Sequence, residues 1–166
     1  MVMSPGGAAG IMGGRRVQQR RLNLIRRSVI EAAQAPAQRG QQYQTARQFA
    51  IDAARLLADT RCNNITILDV SNISPVTDFM VIATVTSPRQ MKTACDDVEE
   101  MAAPRNFRPL SRAGDGGTNW TCIDFVDVVV HVFSQDARLY YDLDGLWGDA
   151  ARVQWEPASP SADKSA

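Results

Sequence analysis

The chain has 166 residues, enough for one domain with a hydrophobic core, and no apolar run approaches the roughly 18 residues needed to cross a membrane. Its formal net charge is zero, but residues 1–40 carry seven arginines and one acidic residue, while the remainder carries eleven basic and seventeen acidic residues. That acidic remainder lacks the Lys/Arg cluster that neutralises phosphates, which argues against a body built to bind nucleic acid.

The first segment, residues 1–42, is predicted to be a basic leader outside the core. Its loop signals are Ser4–Gly7, Gly13-Gly14 and Gln34–Ala37. Between them, Arg15–Ile30 has helical periodicity, with arginines on one side and apolar residues on the other. Three interpretations stay open: a flexible, disordered arm, a patch that contacts RNA, and an organelle transit peptide, against which the scarcity of hydroxyl residues counts.

The folded part is predicted to start near Tyr43 with an amphipathic helix that ends near Cys62. Ile65–Val70 is rich in β-branched residues and predicts a strand, and Ser71–Thr77 predicts a turn. Phe79–Ala83 is apolar without alternation, which is typical of a central strand covered on both faces.

A second helix has a clear predicted start. Ser87 is placed as its N-cap, Pro88 follows where a missing N–H costs nothing, and Gln90 completes a capping box. Pro104 ends this helix. Phe107–Leu110 is then predicted as a short strand, followed by a mobile loop around Gly114, Gly116 and Gly117.

Two further strands, Trp120–Phe125 and Asp127–Phe133, predict an antiparallel hairpin whose turn Asp127 is expected to shape. Ser134 is predicted to cap a last helix, after which Leu143–Trp155 packs on the body. The fold class is therefore α/β: a mixed sheet of about five strands flanked by helices, in a single domain. We place that domain at residues 43–155 and a disordered tail at 156–166.

Alternation along the first hairpin strand predicts which residues could meet a partner. Thr121, Ile123 and Phe125 make the better core face, so Trp120, Cys122 and Asp124 are expected on the outer face, where an aromatic beside a carboxylate suits a protein interface. The alternative is that Trp120 only covers the sheet edge. The second candidate patch comprises Tyr140, Tyr141 and Trp147, and for Trp147 we favour core packing.

Other reactive side chains have structural interpretations. His131 shares a strand face with apolar residues and is expected to be a hydrogen-bonded core histidine rather than a base or ligand. Asp124 and Asp127 do not share a face, as carboxylates holding catalytic metal ions would. Cys62, Cys95 and Cys122 lack zinc-site spacing and suggest small apolar residues in a reducing compartment. We therefore expect no catalytic residue, metal or cofactor.

Five stretches in order resemble the ribosomal silencing factor (iojap/RsfS) family over about Tyr43 to Trp155. Two positions depart from the family pattern, since Val85 and Val126 stand where the family usually has glycine. Valine resists the positive φ that glycine permits. The matching stretches are Ile67–Val70, Thr77–Thr84, Thr86–Gln90, Asp127–Phe133 and the ending Tyr140–Ala150.

This resemblance implies a nucleotidyltransferase-like fold without its catalytic equipment. It also implies docking on the fourteenth large-subunit ribosomal protein, where the bound factor blocks joining of the small subunit and represses translation. The expected partner is thus the large ribosomal subunit. Independently of the resemblance, the Arg-rich leader suggests a contact with ribosomal RNA, and the aromatic residues suggest a homodimer. The Leu146–Ala150 ending suggests a cytoplasmic location, the alternative being a mitochondrial one if the leader is a transit peptide. Two alternatives stay open: a large-subunit assembly factor, and a degenerate nucleotidyltransferase that binds a nucleotide.

Overall fold

The computed structural model describes residues 12–114 and 119–156, with side chains from residue 36 onward. The chain divides into two compact units, Met1–Gln42 and Tyr43–Ala166. The helices are α1 (Met12–Asp59), α2 (Pro88–Ala102), α3 (Gln135–Tyr141) and α4 (Leu143–Leu146), with a 3-10 turn at Ala103–Arg105. The strands are β1 (Asn63–Asp69), β2 (Phe79–Val85), β3 (Ser111–Gly114), β4 (Trp120–Asp124), β5 (Val128–Ser134) and β6 (Ala151–Arg152).

Helix α1 corrects two predictions. It begins at Met12 rather than near Tyr43, and it passes through Gly13-Gly14 and Gln34–Ala37, where loops were predicted, with Pro36 inside it. A proline removes one helical hydrogen bond, and the surrounding alanine, glutamine and arginine residues favour the helix. The Ser4–Gly7 loop lies outside the described residues, and the role of residues 1–42 as a leader stays a prediction.

The six strands form one mixed sheet in the order β3-β4-β5-β2-β1-β6. Strands β2 and β5 are parallel, and the other neighbours are antiparallel. All seven residues of β2 are buried, which confirms the prediction of a central strand. The mixed α/β sheet is confirmed, with six strands rather than about five.

The two edges of the sheet were not predicted correctly. Strand β3 lies at Ser111–Gly114, so the predicted strand Phe107–Leu110 is wrong by four residues. All four β3 residues are exposed, and an exposed edge strand has no apolar pattern to mark it. Strand β6 has two residues, paired with β1, inside the segment that was expected only to pack on the body.

The two faces of the sheet carry separate cores. One face packs against α1 and α2, where Phe49 stacks on Phe107 at 4.1 Å between ring centroids and meets the edge of Phe125. The other face carries a smaller cluster around Leu68, Met80, Ile82 and Phe133. That smaller cluster packs against α3 and the segment from Leu143 to Ala150, so this face positions the candidate site.

The helix caps follow the sequence closely. Ser87 Oγ accepts the Gln90 N–H at 3.2 Å, as predicted. The Gln90 side chain, however, accepts from the Thr86 N–H at 2.9 Å and donates to the carbonyls of Thr60 and Arg61, so it ties α2 to the end of α1 instead of closing a capping box. Ser134 caps α3 through the Ala137 N–H at 3.3 Å, as predicted. None of the described helices is long and apolar enough to cross a membrane.

The hairpin turn between β4 and β5 adopts the conformation that its valine disfavours. Val126 has φ +74°, and the Asp127 N–H donates to the Phe125 carbonyl across it at 3.0 Å. At this turn the Asp124 carboxylate accepts the Val126 N–H at 2.7 Å, and Asp127, expected to shape the turn, donates its backbone N–H to the Phe125 carbonyl. The glycine loop Gly114–Gly117 lies outside the described residues beyond Gly114, as does the tail from residue 157.

Candidate partner-binding surface

Strand β4 presents its two sets of side chains as the alternation predicts. Ile123 is buried in the larger core and Thr121 is buried on the same face, whereas Trp120, Cys122 and Asp124 are half-buried on the opposite face. The register places Trp120 beside Phe133 of β5 at the α3 end of the strand. The outer face of β4 therefore runs from Trp120 at one end to Asp124 at the other.

Trp120 joins the smaller core to the surface. Its ring lies parallel to that of Phe133 at 5.9 Å between centroids and meets Tyr141 of α3 at 5.2 Å. Its indole N–H donates to Nδ1 of His131 at 3.3 Å. Trp120 thus packs on the sheet and keeps part of its ring open to solvent, so the two interpretations of this residue, edge cover and contact residue, are compatible.

His131 lies on β5 directly opposite Cys122 and is only 8% exposed. Burial lowers its pKa to about 4, against the opposing effect of the nearby Asp124 carboxylate. The ring is therefore neutral near pH 7, as a ring that accepts a hydrogen bond at Nδ1 must be. The prediction of a hydrogen-bonded core histidine is confirmed.

The side chains of Cys122 and Asp124 have little chemical reactivity in this environment. Burial raises the pKa of the Cys122 thiol to about 11, so the thiol is protonated near pH 7 and a poor nucleophile. One oxygen of Asp124 is bonded to the Val126 N–H of the hairpin turn. Cys62 and Cys95 are free and buried, in agreement with their interpretation as small apolar residues. A contact of Cys122 or Asp124 with a partner stays a prediction.

Helices α3 and α4 expose the largest aromatic and aliphatic side chains of this region. Tyr140 is 83% exposed and Tyr141 47%, and their rings meet edge to face at 5.1 Å. Trp147 is half-buried and packs on the smaller core, as favoured. Leu139 and Leu146, 71% and 72% exposed, were missed, because an apolar residue in a sequence is expected to be buried unless the third dimension is known.

Arg138 fixes this exposed segment to the sheet. Its guanidinium donates two hydrogen bonds to the Asp144 carboxylate, at 2.8 and 3.2 Å, and one to the Asn64 carbonyl at 2.9 Å. It also reaches the hydroxyls of Thr84 and Thr66 at 3.3 and 3.4 Å. With a side chain that is only 10% exposed, Arg138 holds α3 and α4 in place on β1 and β2.

The electrostatics of the surface are acidic. Exposed carboxylates lie in the same segment of the chain as the tyrosines and leucines, and the one arginine among residues 134–150 is already paired with Asp144. Complementary charge speeds and orients protein association, so this surface favours a basic partner. The exposed acidic residues are Asp136, Asp142 and Asp149.

In the described part of the chain no group of three His, Cys, Asp or Glu side chains could hold a metal ion. Fold and surface together define a small α/β protein that exposes aromatic, aliphatic and acidic side chains on α3 and α4. Residues 43–166 match the family model described as ribosomal silencing factor during starvation, and the chain belongs to that family. A silencing factor of this family acts on the ribosome, and the family is named for regulation rather than for catalysis.

Relatives and solved structures agree with this assignment. The chain is 36% identical over 98 residues to ribosomal silencing factor RsfS of Bacillus subtilis, covering 59% of this chain and 83% of that protein. It is 27% identical over 106 residues to the chloroplastic protein Iojap of Arabidopsis thaliana, covering 64% and 44%. A crystal structure of a Chromobacterium violaceum protein superposes with a TM-score of 0.57 at 31% identity, over 72% of this chain and 95% of that one.

Proposed function

We propose that this protein is a non-catalytic silencing factor that binds the fourteenth protein of the large ribosomal subunit and sterically prevents association with the small subunit. It acts in the cytoplasm and needs no cofactor. The observation that carries the proposal is the docking face, defined as Trp120, Leu139, Tyr140, Tyr141 and Leu146, on a chain of this family. Repression of translation then follows from occupancy alone.

The chemistry of the docking face suits a protein partner. Tyrosine and tryptophan combine apolar area with a polar tip and dominate the energetics of many interfaces. The exposed leucines add apolar area, and the exposed carboxylates of the same segment would repel RNA phosphates while attracting the basic side chains of a ribosomal protein. A standard interface buries about 800 Å² on each partner, which a body of this size can supply.

The test is a subunit-joining assay on sucrose gradients. Purified large subunits are incubated with the full chain, and small subunits are then added at a magnesium concentration that permits joining. We expect the joined peak to fall with dose while the protein sediments with the large subunit. An unchanged joined peak, with the protein at the top of the gradient, would overturn the proposal.

Two variants map the contact. Trp120→Ala is expected to weaken binding by about 2 kcal/mol, or roughly thirty-fold in Kd, as an interface hot spot does. Because Trp120 also packs on the smaller core, the melting temperature of the Trp120→Ala protein must be measured together with its affinity. Tyr140→Ala removes a side chain that is 83% exposed, so its effect on binding, about ten-fold, is separable from folding.

The matched control is Lys92→Ala, in an exposed residue of α2, which packs against the other face of the sheet. It should bind like the unmodified chain. If Trp120→Ala lowers the melting temperature and leaves the affinity unchanged, while Tyr140→Ala also binds normally, the docking face is wrongly placed.

A further inference from the structure

Exposed large hydrophobic side chains in the described residues form two groups at the two ends of β5. One group follows the carboxyl end of β5 and belongs to the docking face proposed above. The other group, which we call the second patch, has no part in the proposed function. It consists of Ile73 (47% exposed), Val76 (76%), Leu110 (71%) and Val126 (52%).

Backbone hydrogen bonds bring the second patch together. The Asp127 carbonyl accepts the N–H groups of Asp78 and Phe79, each at 3.0 Å, which joins the loop before β2 to the turn before β5. That loop carries Val76, and that turn carries Val126. Both lie within two residues of these bonds, so chain geometry keeps them within roughly 15 Å of each other.

Three more hydrogen bonds connect Leu110 and Ile73 to the same end of the sheet. The Leu110 N–H donates to the Asp124 carbonyl at 2.7 Å, and the Val70 carbonyl accepts the Ile73 N–H at 2.9 Å while the Val70 N–H donates to Asp78. All four apolar side chains thus lie at the end of the sheet where β5 begins. Strand β5 has seven residues, so about 20 Å separates this end from α3.

Val126 is the residue least explained by folding alone. It is β-branched, it has φ +74°, and its side chain is 52% exposed. A glycine would adopt this conformation without steric cost and would expose no apolar surface. A contact with a partner gives a physical reason for a valine at this position, since it turns an unfavourable exposed side chain into a buried one.

We propose that the second patch docks a cationic, apolar segment of a protein. Charge favours that occupant: among the residues described from Tyr43 onward, the segments joined by these bonds carry Asp69, Asp78, Asp124 and Asp127, with Arg47 near Asp69 and Arg108 two residues before Leu110. An RNA backbone would be repelled there, whereas lysine and arginine beside apolar side chains would be attracted. The inference rests on the proposed function in one respect, that the large ribosomal subunit presents this segment.

The test uses a photo-crosslinking amino acid placed singly at Val76, at Tyr140 and at Lys92 of the full chain, bound to purified large subunits. At Val76 we expect a cross-link to a Lys/Arg-rich peptide of a ribosomal protein, different from the peptide captured at Tyr140. Lys92 supplies the background. A Val76 product no stronger than that background, or one formed with RNA, with the chain itself or with the Tyr140 peptide, would overturn the assignment.

A variant tests whether the contact contributes affinity. Val76→Ser with Leu110→Ser changes two side chains that are each more than 70% exposed, so the melting temperature should stay within a degree or two. Its Kd for the large subunit should rise at least five-fold, and an unchanged Kd would overturn the assignment. If the Tyr140 probe and variant also fail, the proposed function falls as well; if they succeed, the second patch alone is wrong.

Discussion

The two faces of the sheet differ in what their side chains are used for. The face under α1 and α2 is sealed: its aromatic and aliphatic residues are almost entirely buried, with Phe49 at 1% and Leu57 at 0% exposed. The face under α3 and α4 is only partly covered, and Trp120 and Trp147 pack at the margin of its small cluster. The first face thus contributes most of the buried apolar area that stabilises the fold, while the second leaves apolar side chains exposed to solvent.

Phe49→Ala should show the difference between the two faces most clearly, because it changes stability and leaves binding unchanged. The substitution leaves a cavity between Phe107 and Phe125 and should lower the free energy of unfolding by about 4 kcal/mol, as large-to-small core changes do. Urea denaturation measures this loss. At temperatures where the variant remains folded, its affinity for the large subunit should match that of the unmodified chain; a large loss of affinity with folded protein would show that the faces are not independent.

Elements with local signals could be predicted from the sequence, and elements defined by distant contacts could not. The unbroken apolar run of β2 and the Ser87-Pro88 start of α2 specify their own structure. Strands β3 and β6 exist because a neighbouring strand pairs with them, and neither has an apolar pattern. The family was identified from stretches that resemble known sequences, and the hydrophobic pattern alone did not identify it.

The candidate site divides in the same way. Alternation along β4 correctly placed Trp120 on the face opposite the larger core, because period-two geometry is local. Leu139 and Leu146 were missed because their exposure depends on how Arg138 holds α3 and α4 against the sheet. The positive φ of Val126 was indicated only by the glycine that the family usually has there, since the valine itself argues against it and hairpin pairing imposes it.

Acid should weaken the partly covered face first. His131 has a pKa lowered to about 4, below the value near 6.5 expected in the unfolded chain, so the unfolded state binds more protons between these values. The contribution of neutral His131 to the free energy of unfolding is complete above about pH 6.5 and is lost as the pH falls towards 4. The loss should approach 3 kcal/mol, with the Trp120 hydrogen bond broken when Nδ1 is protonated.

His131→Gln provides the comparison, because glutamine does not titrate. The difference in unfolding free energy between the two proteins, measured by urea denaturation from pH 7 to pH 4, should change steadily across that window. Carboxylates with lowered pKa values, such as those of Asp69 and Asp96, are present in both proteins and cancel in the difference. Parallel pH profiles would show that His131 is not the titrating group.

Arg138→Met should cost about 2 kcal/mol, because it leaves the Asp144 carboxylate and the Asn64 carbonyl without their donor. The effect should reach beyond stability: α3 would lose its hold on the sheet, and affinity for the large subunit should fall with it. Arg138→Lys retains the positive charge but lacks the planar guanidinium that donates several hydrogen bonds at once. Compared with Arg138→Met, it should therefore recover only part of the stability and part of the affinity. Amide hydrogen exchange in α3 measures the loosening directly. Equal exchange in the variant and the unmodified chain would remove Arg138 as the anchor of the docking face.

Val126→Gly should give the smallest effect, and one of opposite sign. A left-handed conformation costs a non-glycine residue about 1–2 kcal/mol, and the greater freedom of glycine in the unfolded chain offsets part of the relief. We therefore expect the variant to be about 0.5–1 kcal/mol more stable in urea denaturation. Val126→Ala is the matched control: it trims the exposed side chain and keeps a non-glycine residue at positive φ, so it should gain less stability than Val126→Gly. A glycine variant that is less stable than the alanine variant would mean that the valine packs usefully in the free protein. Stabilisation together with weaker binding would instead mark Val126 as a residue whose apolar side chain serves the partner at the expense of the fold.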